Sequence, residues 1–135
     1  MNLINLTPHA IVLQSSTGDR TTIEPSGTVA RVLSFPGSVA WSPDMTGLPV
    51  PVCNPTSYGT VDGVPASREG GVYYIVSGMV LAALRRDFDD FCQRAGLPPE
   101  GHPLDYCVGP GTGPNDYPIR NAAGQIQAVT RLVRG

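Results

Sequence analysis

The chain contains no lysine: all nine of its basic residues are arginine. Charge of either sign is scarce, at 15% of residues, and nearly cancels to a formal net charge of −2. Such a balance creates no field to gather a nucleic-acid polymer or an anionic membrane. Cysteine is sparse and odd in number, with Cys53, Cys92 and Cys107 far apart. A secreted disulfide framework would show an even, denser set, and a structural zinc site would show a close Cys or His pair. His9 and His102 stand alone. Core thiols in a reducing compartment are therefore expected, with no metal and no cofactor. No stretch approaches the ~18 apolar residues of a membrane span. No charged segment followed by an apolar run opens the chain, so a cytoplasmic location is expected.

What is abundant is turn chemistry on an ordinary apolar background. Hydrophobic residues reach 41%, while Gly 16 and Pro 14 together make 30 of 135 residues. That falls short of the roughly 25–30% at which low complexity takes over. A chain of this length buries roughly two-thirds of its unfolded surface, enough for one core. The expectation is a single globular domain over 1–135, of short elements joined by tight corners. Arginine presents a flat fork suited to carboxylate and phosphate, although coding bias explains an arginine-only chain equally well.

The segment 2–13 reads as strand, interrupted at Pro8, which cannot donate to a ladder. Arg20 to Ile23 and Thr28 to Leu33 follow as strands around the turn Glu24-Pro25-Ser26-Gly27. The simplest arrangement is an antiparallel meander. Between Phe35 and Ser67 six prolines forbid a regular central strand, leaving short extended pieces at 39–41, 48–52 and 60–61. A loop region this long is usually functional or interacting. Val72 to Val76 is a continuous β run suited to a central, two-sided strand. From Ser77 apolar residues recur at 80, 84, 88, 91, 92 and 95, one face of a helix that Gly96 and Pro98 stop. Its polar face offers Arg85/Asp89, Arg86/Asp90 and Asp90/Arg94 pairs, each worth about 0.2–0.5 kcal/mol. Leu104 to Val108 is a further strand, parallel by crossover or antiparallel by return. A closing hairpin runs 117–120 and 125–133. The fold class is α+β: mostly β, an antiparallel or mixed sheet with one amphipathic helix (77–95) packed on it.

Several residues invite a functional reading. Ser77, between strand and helix, lacks the flanking glycines of a nucleophile elbow, since Ile75 and Met79 occupy those places. It reads as an N-cap. With Gly78 it also opens a helix whose free N–H groups suit a phosphate or carboxylate. The glycine-rich loop 109–116 matches neither a dinucleotide fingerprint nor a phosphate loop; it either closes over a ligand or turns the chain. His9 reads as structural, His102 as solvent-facing, and Asp87, Asp89 and Asp90 as a solvated helix flank. Arg31, Arg68 and Arg120 lie in strands or turns. If they converge on the helix start they form an anion pocket; otherwise they are separate surface arginines.

The opening Asn5-Leu6-Thr7-Pro8-His9, then Pro25 to Val32, Tyr74-Ile75-Val76-Ser77, and the ending Pro118-x-Arg120 with Gly124-x-Ile126-x-x-Val129 resemble a group of small bacterial and phage proteins without assigned biochemistry. The resemblance spans nearly the whole chain. It implies a phage or prophage setting inside a bacterial host cell, and it draws attention to His9, Arg31, Ser77 and Arg120. By analogy with small phage proteins that counter host defence, it suggests sequestration of a nucleotide signal. The resulting expectation is a binding protein, not an enzyme, acting alone or as a homo-oligomer. It would hold a small anionic ligand with Arg31, Arg68 and Arg120 for charge, Ser77 and Gly78 as donors, His9 nearby, and Trp41 or Tyr58 as a stacking face. The alternative is a virion-associated or host-protein-binding interaction protein whose proline-rich loops contact a partner.

Overall fold

The computed structural model describes residues 2–135. The N-terminal apolar segment breaks at Pro8 as expected, into β1 (Asn2–Asn5) and β2 (Ile11–Gln14). β3 (Arg20–Ile23) returns antiparallel to β2, with Ile11 opposite Ile23. There the expected meander ends. The chain continues through β4 (Arg31–Phe35), β5 (Val39–Trp41), a single helical turn α1 (Pro43–Thr46), β6 (Val52–Cys53) and β7 (Ser57–Asp62). β4 pairs with β7, not with β3, and β5 pairs with β6, so the proline-rich stretch is two antiparallel ribbons that follow one another along one long hairpin, and not a loop.

β8 (Val72–Ile75) enters the core with Val72, Tyr74 and Ile75 all buried. A strand apolar on both faces suits the centre of a sheet, where each edge has a neighbour. β1 supplies one, running parallel to it with Asn2 opposite Val72 and Asn5 opposite Ile75. This long-range pairing is what removes β1 from the meander. The helix α2 (Gly78–Ala95) then carries the chain over to β9 (Cys107–Pro110), also parallel to β8. The β8–α2–β9 unit is thus the parallel crossover. Leu104 proves to lie in a 3₁₀ turn, Pro103–Asp105, because Pro103 and the His102 cap bend the chain before β9 starts.

β10 (Ile119–Arg120) and β11 (Ile126–Ala128) form the expected hairpin around Asn121 to Gly124. β12 (Leu132–Arg134) leaves it and lies antiparallel to β9. The main sheet therefore reads β1-β8-β9-β12. The fold is α+β: mixed and antiparallel sheets with one main helix packed on them.

The core lies between this sheet and the first half of α2. Leu6, Val72, Tyr74, Val76, Leu104 and Tyr106 meet Val80, Leu81 and Leu84. Ser77 caps the helix by accepting from the Val80 N–H at 3.3 Å. Gly96 ends it in the left-handed region (φ 73°), donating to the Cys92 carbonyl at 2.9 Å. The expected apolar face is buried only in its first turns; Phe91 is 40% exposed, so the C-terminal half of the helix stands over solvent. Of the three expected charge pairs, only Arg85–Asp89 closes as an ion pair among the described residues, at 3.3 Å. No helix is long and apolar enough to cross a membrane among the described residues.

Candidate functional site

A cleft of about 480 Å³ lies where the ribbon β4/β7 meets α2. Tyr58 to Val61 of β7 and Val64 form one wall, with Ala83, Leu84, Arg86, Asp87 and Asp90 of α2 opposite and His102-Pro103 at one end. His102 is not solvent-facing as its loop position suggested; its side chain is only 8% exposed. Its ring stands edge-on to Phe88 with centroids 5.4 Å apart. The Leu104 N–H donates to Nδ1 at 3.1 Å, and Nε2 lies 2.8 Å from Asp87 Oδ2. The first contact makes Nδ1 an acceptor, so in the neutral ring Nε2 carries the proton and donates it to the carboxylate. Both nitrogens are then occupied, and no lone pair is left to take a proton from a substrate. The pair clamps the post-helix loop to α2, so Asp87 is more than the solvated flank residue expected.

The cleft's charged groups are one guanidinium, Arg86, against two carboxylates, Asp87 and Asp90. That mixture differs from the all-cationic anion pocket that the sequence suggested. No three His, Cys, Asp or Glu side chains gather to hold a metal ion among the described residues.

Of the eight residues expected to hold the ligand, Tyr58 alone lines this cleft. Ser77 and Gly78 open α2 at an exposed corner, and the Ser77 hydroxyl is engaged in the cap. Arg31 is exposed on β4 opposite Asp62. Arg68 donates from Nε to the Val72 carbonyl at 3.0 Å, and its guanidinium lies 4.3 Å from the centre of the Tyr73 ring. Arg120 donates to the Gly124 carbonyl at 2.7 Å, closing its own hairpin turn. Two of the three strand-and-turn arginines therefore serve local backbone. His9 is exposed, and Trp41 lies on β5, 55% exposed. The glycine-rich loop is knitted to itself and to its neighbours. Gly113 N–H donates to Asp116 Oδ2 at 3.0 Å, and Gly111 N–H to the Arg131 carbonyl at 2.9 Å.

Two features escaped the sequence reading. One is the role of Asn5, which is only 1% exposed. Its Nδ2 donates to the His9 carbonyl at 2.7 Å and the Ile23 carbonyl at 3.0 Å, while Oδ1 accepts from the Thr7 N–H at 2.9 Å. The Thr7 hydroxyl lies 2.6 Å from Oδ1 and 2.9 Å from the His9 carbonyl. The motif from Asn5 to His9 is thus a knot that ties β1 to the end of β3. The Asn-x-Thr spacing before a proline was the available signal, since Asn side chains bond backbone two residues on.

The other feature is the ribbon region itself. From residue 33 to 60 no residue is buried. Leu33, Phe35, Val39, Trp41, Met45, Leu48, Val50 and Tyr58 are all between 45% and 71% exposed. From 32 to 61 the sequence holds one charged residue, Asp44. Only the base of this arm is anchored, where Val32 and Val61 pack against the core. Where the two ribbons join, the strands approach closely at Gly37, where any side chain would collide with the Asn54 carbonyl, and Asn54 N–H donates to the Ser38 carbonyl at 2.7 Å. Cys53 lies here and is exposed, so it is not a core thiol; Cys107 is buried and Cys92 half-buried. For the exposed arm residues on the strands the reason is that a two-stranded ribbon has no second layer to cover its side chains; Met45 sits on the single turn α1, and Leu48 and Val50 lie between it and β6. No family model, curated protein or solved structure matches the chain.

Proposed function

We propose that this is a binding protein without catalytic chemistry of its own, working through the arm 33–60. The observation that carries the reading is the arm's surface: eight large apolar side chains exposed around a single charge. Monomeric proteins rarely leave an apolar patch larger than a few hundred Å² open, and depletion of charge is the mark of an interface core. This is the interaction-protein reading of the sequence, with its contact surface assigned to the proline-rich segment. The setting that accompanies it is the interior of a bacterial cell, in a phage or prophage context. A photo-crosslinker on Cys53, in a Cys92→Ser background, should capture one discrete species in such cells. The same label on Gln127→Cys, exposed on the main body, in a background where Cys53 and Cys92 are both serine, should not. Equal capture from both positions, or none from Cys53, refutes the reading.

A second reading, sequestration of a small anionic ligand such as a nucleotide signal, is supported by Tyr58 and Arg86 on the walls of the cleft. They supply a stacking face and a guanidinium fork. Asp87 and Asp90 oppose it. A thermal shift with a panel of nucleotide second messengers, abolished by Arg86→Ala, would support it; no shift with any of them removes it.

A further inference from the structure

We propose that the occupant of the arm is a second copy of this chain, joined through the arm's exposed apolar side chains. The inference rests on the reading of the arm as the working surface and names its partner. The first argument is area. Applied to side chains of roughly 150–250 Å², the exposures of the seven arm residues other than Tyr58, which shares Ser34's face and lines the cleft, amount to roughly 700 Å² of surface. That is about what each partner contributes to a standard interface of roughly 1,600 Å².

The second argument is charge. A different protein is recognised and steered by complementary charge at the rim. The arm offers one carboxylate, Asp44, and no cation between 32 and 61. It has almost nothing with which to select a charged partner, and equally little to repel itself. In a two-fold contact each patch faces its own copy, and Asp44 is the arm's one source of like-charge repulsion.

The third argument is stability. A two-stranded ribbon is marginal in water without a packed face. β4 has β7 as its ladder partner and β5 has β6, so each ribbon keeps outer edges free among the described strands. With no residue of 33–60 buried, the arm's order depends on a cover present whenever the chain is made. A second copy is the one partner whose supply matches its own, and the free edges allow its strands to add.

The test is the mass of the purified full-length chain in solution, with two charge insertions as controls. Phe35→Glu and Met45→Glu alter positions 56% and 71% exposed, so neither disturbs the core, and unchanged far-UV circular dichroism verifies this. Sedimentation velocity and native mass spectrometry should give the wild type a mass of two or more times 14.2 kDa at micromolar concentration. Each variant should dissociate about 30-fold or more readily, the loss expected at an interface hot spot. Trp41, the one tryptophan, should shift its emission to the red on dilution of the wild type. Donor- and acceptor-labelled Cys53 populations should exchange subunits and transfer energy. A wild type that stays at 14.2 kDa up to about 100 μM overturns the proposal. In that case capture of a different protein at Cys53 leaves the arm as the working surface and removes the second copy alone. An oligomer that both variants preserve overturns the proposal by placing the contact elsewhere.

Discussion

Replacing Asn5 by alanine should be the most destabilising single change outside the apolar core. Its magnitude follows from the partners it strands. The Thr7 N–H, in a residue 8% exposed, loses its acceptor at 2.9 Å and has little access to water. An unsatisfied buried donor costs about 1–3 kcal/mol. The His9 and Ile23 carbonyls lose donors at 2.7 and 3.0 Å. Both belong to residues open enough to rehydrate, so each loss is worth about 0.5–1.5 kcal/mol. Together the cost is about 2–6 kcal/mol, against a total stability of about 5–15 kcal/mol for a domain. The hub position amplifies it. Asn5 and Leu6 also hold the backbones of three segments, through Ser26 N–H to Asn5 O at 2.9 Å, Leu6 N–H to Ile75 O at 2.8 Å and Ala30 N–H to Leu6 O at 2.8 Å. Asn5→Asp separates geometry from donor loss, because it keeps the acceptor and turns the donor pair into an oxygen facing two carbonyls. Its carboxylate would be disfavoured in the folded state, raising the folded pKa above that of the unfolded chain. Stability is then lost as pH rises and partly regained below about pH 4 relative to wild type. Urea denaturation followed by far-UV circular dichroism measures both variants. A loss below about 1 kcal/mol for Asn5→Ala refutes the knot.

Ser77→Ala should cost about 1 kcal/mol, the worth of an N-cap, measured by the same denaturation; a loss of binding without a loss of stability would instead make it a ligand contact. His102→Ala should cost about 2–3 kcal/mol, since it empties a packed site beside Phe88 and strands the Leu104 N–H. Asp87→Ala should cost under about 1 kcal/mol because its side chain is 66% exposed. A thiol reagent at pH 8 should modify Cys53 at once and leave Cys107 untouched in the native protein, since burial pushes the Cys107 thiol up to about 12. Mass mapping of the first adduct checks this. The same shift has a pH consequence: the unfolded thiol ionises near 9.0 while the folded one holds its proton to about 12. Stability should therefore fall as pH rises through that window, by at most about 1.4 kcal/mol per unit. Tyr106, also shifted upward, chiefly by burial, acts in the same direction. Denaturation midpoints that stay constant from pH 8 to pH 11 would refute the linkage.

What was legible in the sequence was local. The helix, its Ser77 cap and its Gly96 stop follow from a 3.6-residue period and turn chemistry, which act within a few residues. Central placement of β8 followed from its unbroken apolar run. Pairings were another matter, because nothing near β1 announces that its partner is β8, some seventy residues on. Long-range pairing is decided by which edges need covering, a property of the assembled sheet. His102 was misjudged for a related reason. A lone histidine between Gly101 and Pro103 looks exposed until α2 brings Asp87 to it. The anion pocket rested on arginines converging, and convergence is a tertiary property that residue type cannot encode. Arg68 and Arg120 each found a carbonyl four residues away.

The absence of lysine bears on the arm more than on any pocket. Exposed ribbon edges are a standing liability, and proteins usually protect them with charged residues, lysine above all. Here the chain's charge is segregated instead. Six charged side chains crowd α2 between Arg85 and Arg94, while the thirty residues from Val32 to Val61 carry one. Prolines at 36, 43, 49, 51 and 55 limit how far strands can add to the edges, but they do nothing to hide the side chains between them. Were the arm an idle surface loop, solvation would favour charges along it at no cost to the core, since none of its residues from 33 to 60 is buried. Their lack is what the proposed cover of the arm accounts for. The sharpness of its limits supports this: Arg31 and Asp62, the first charges at either end, stand opposite each other at the base, where β4 and β7 join the body.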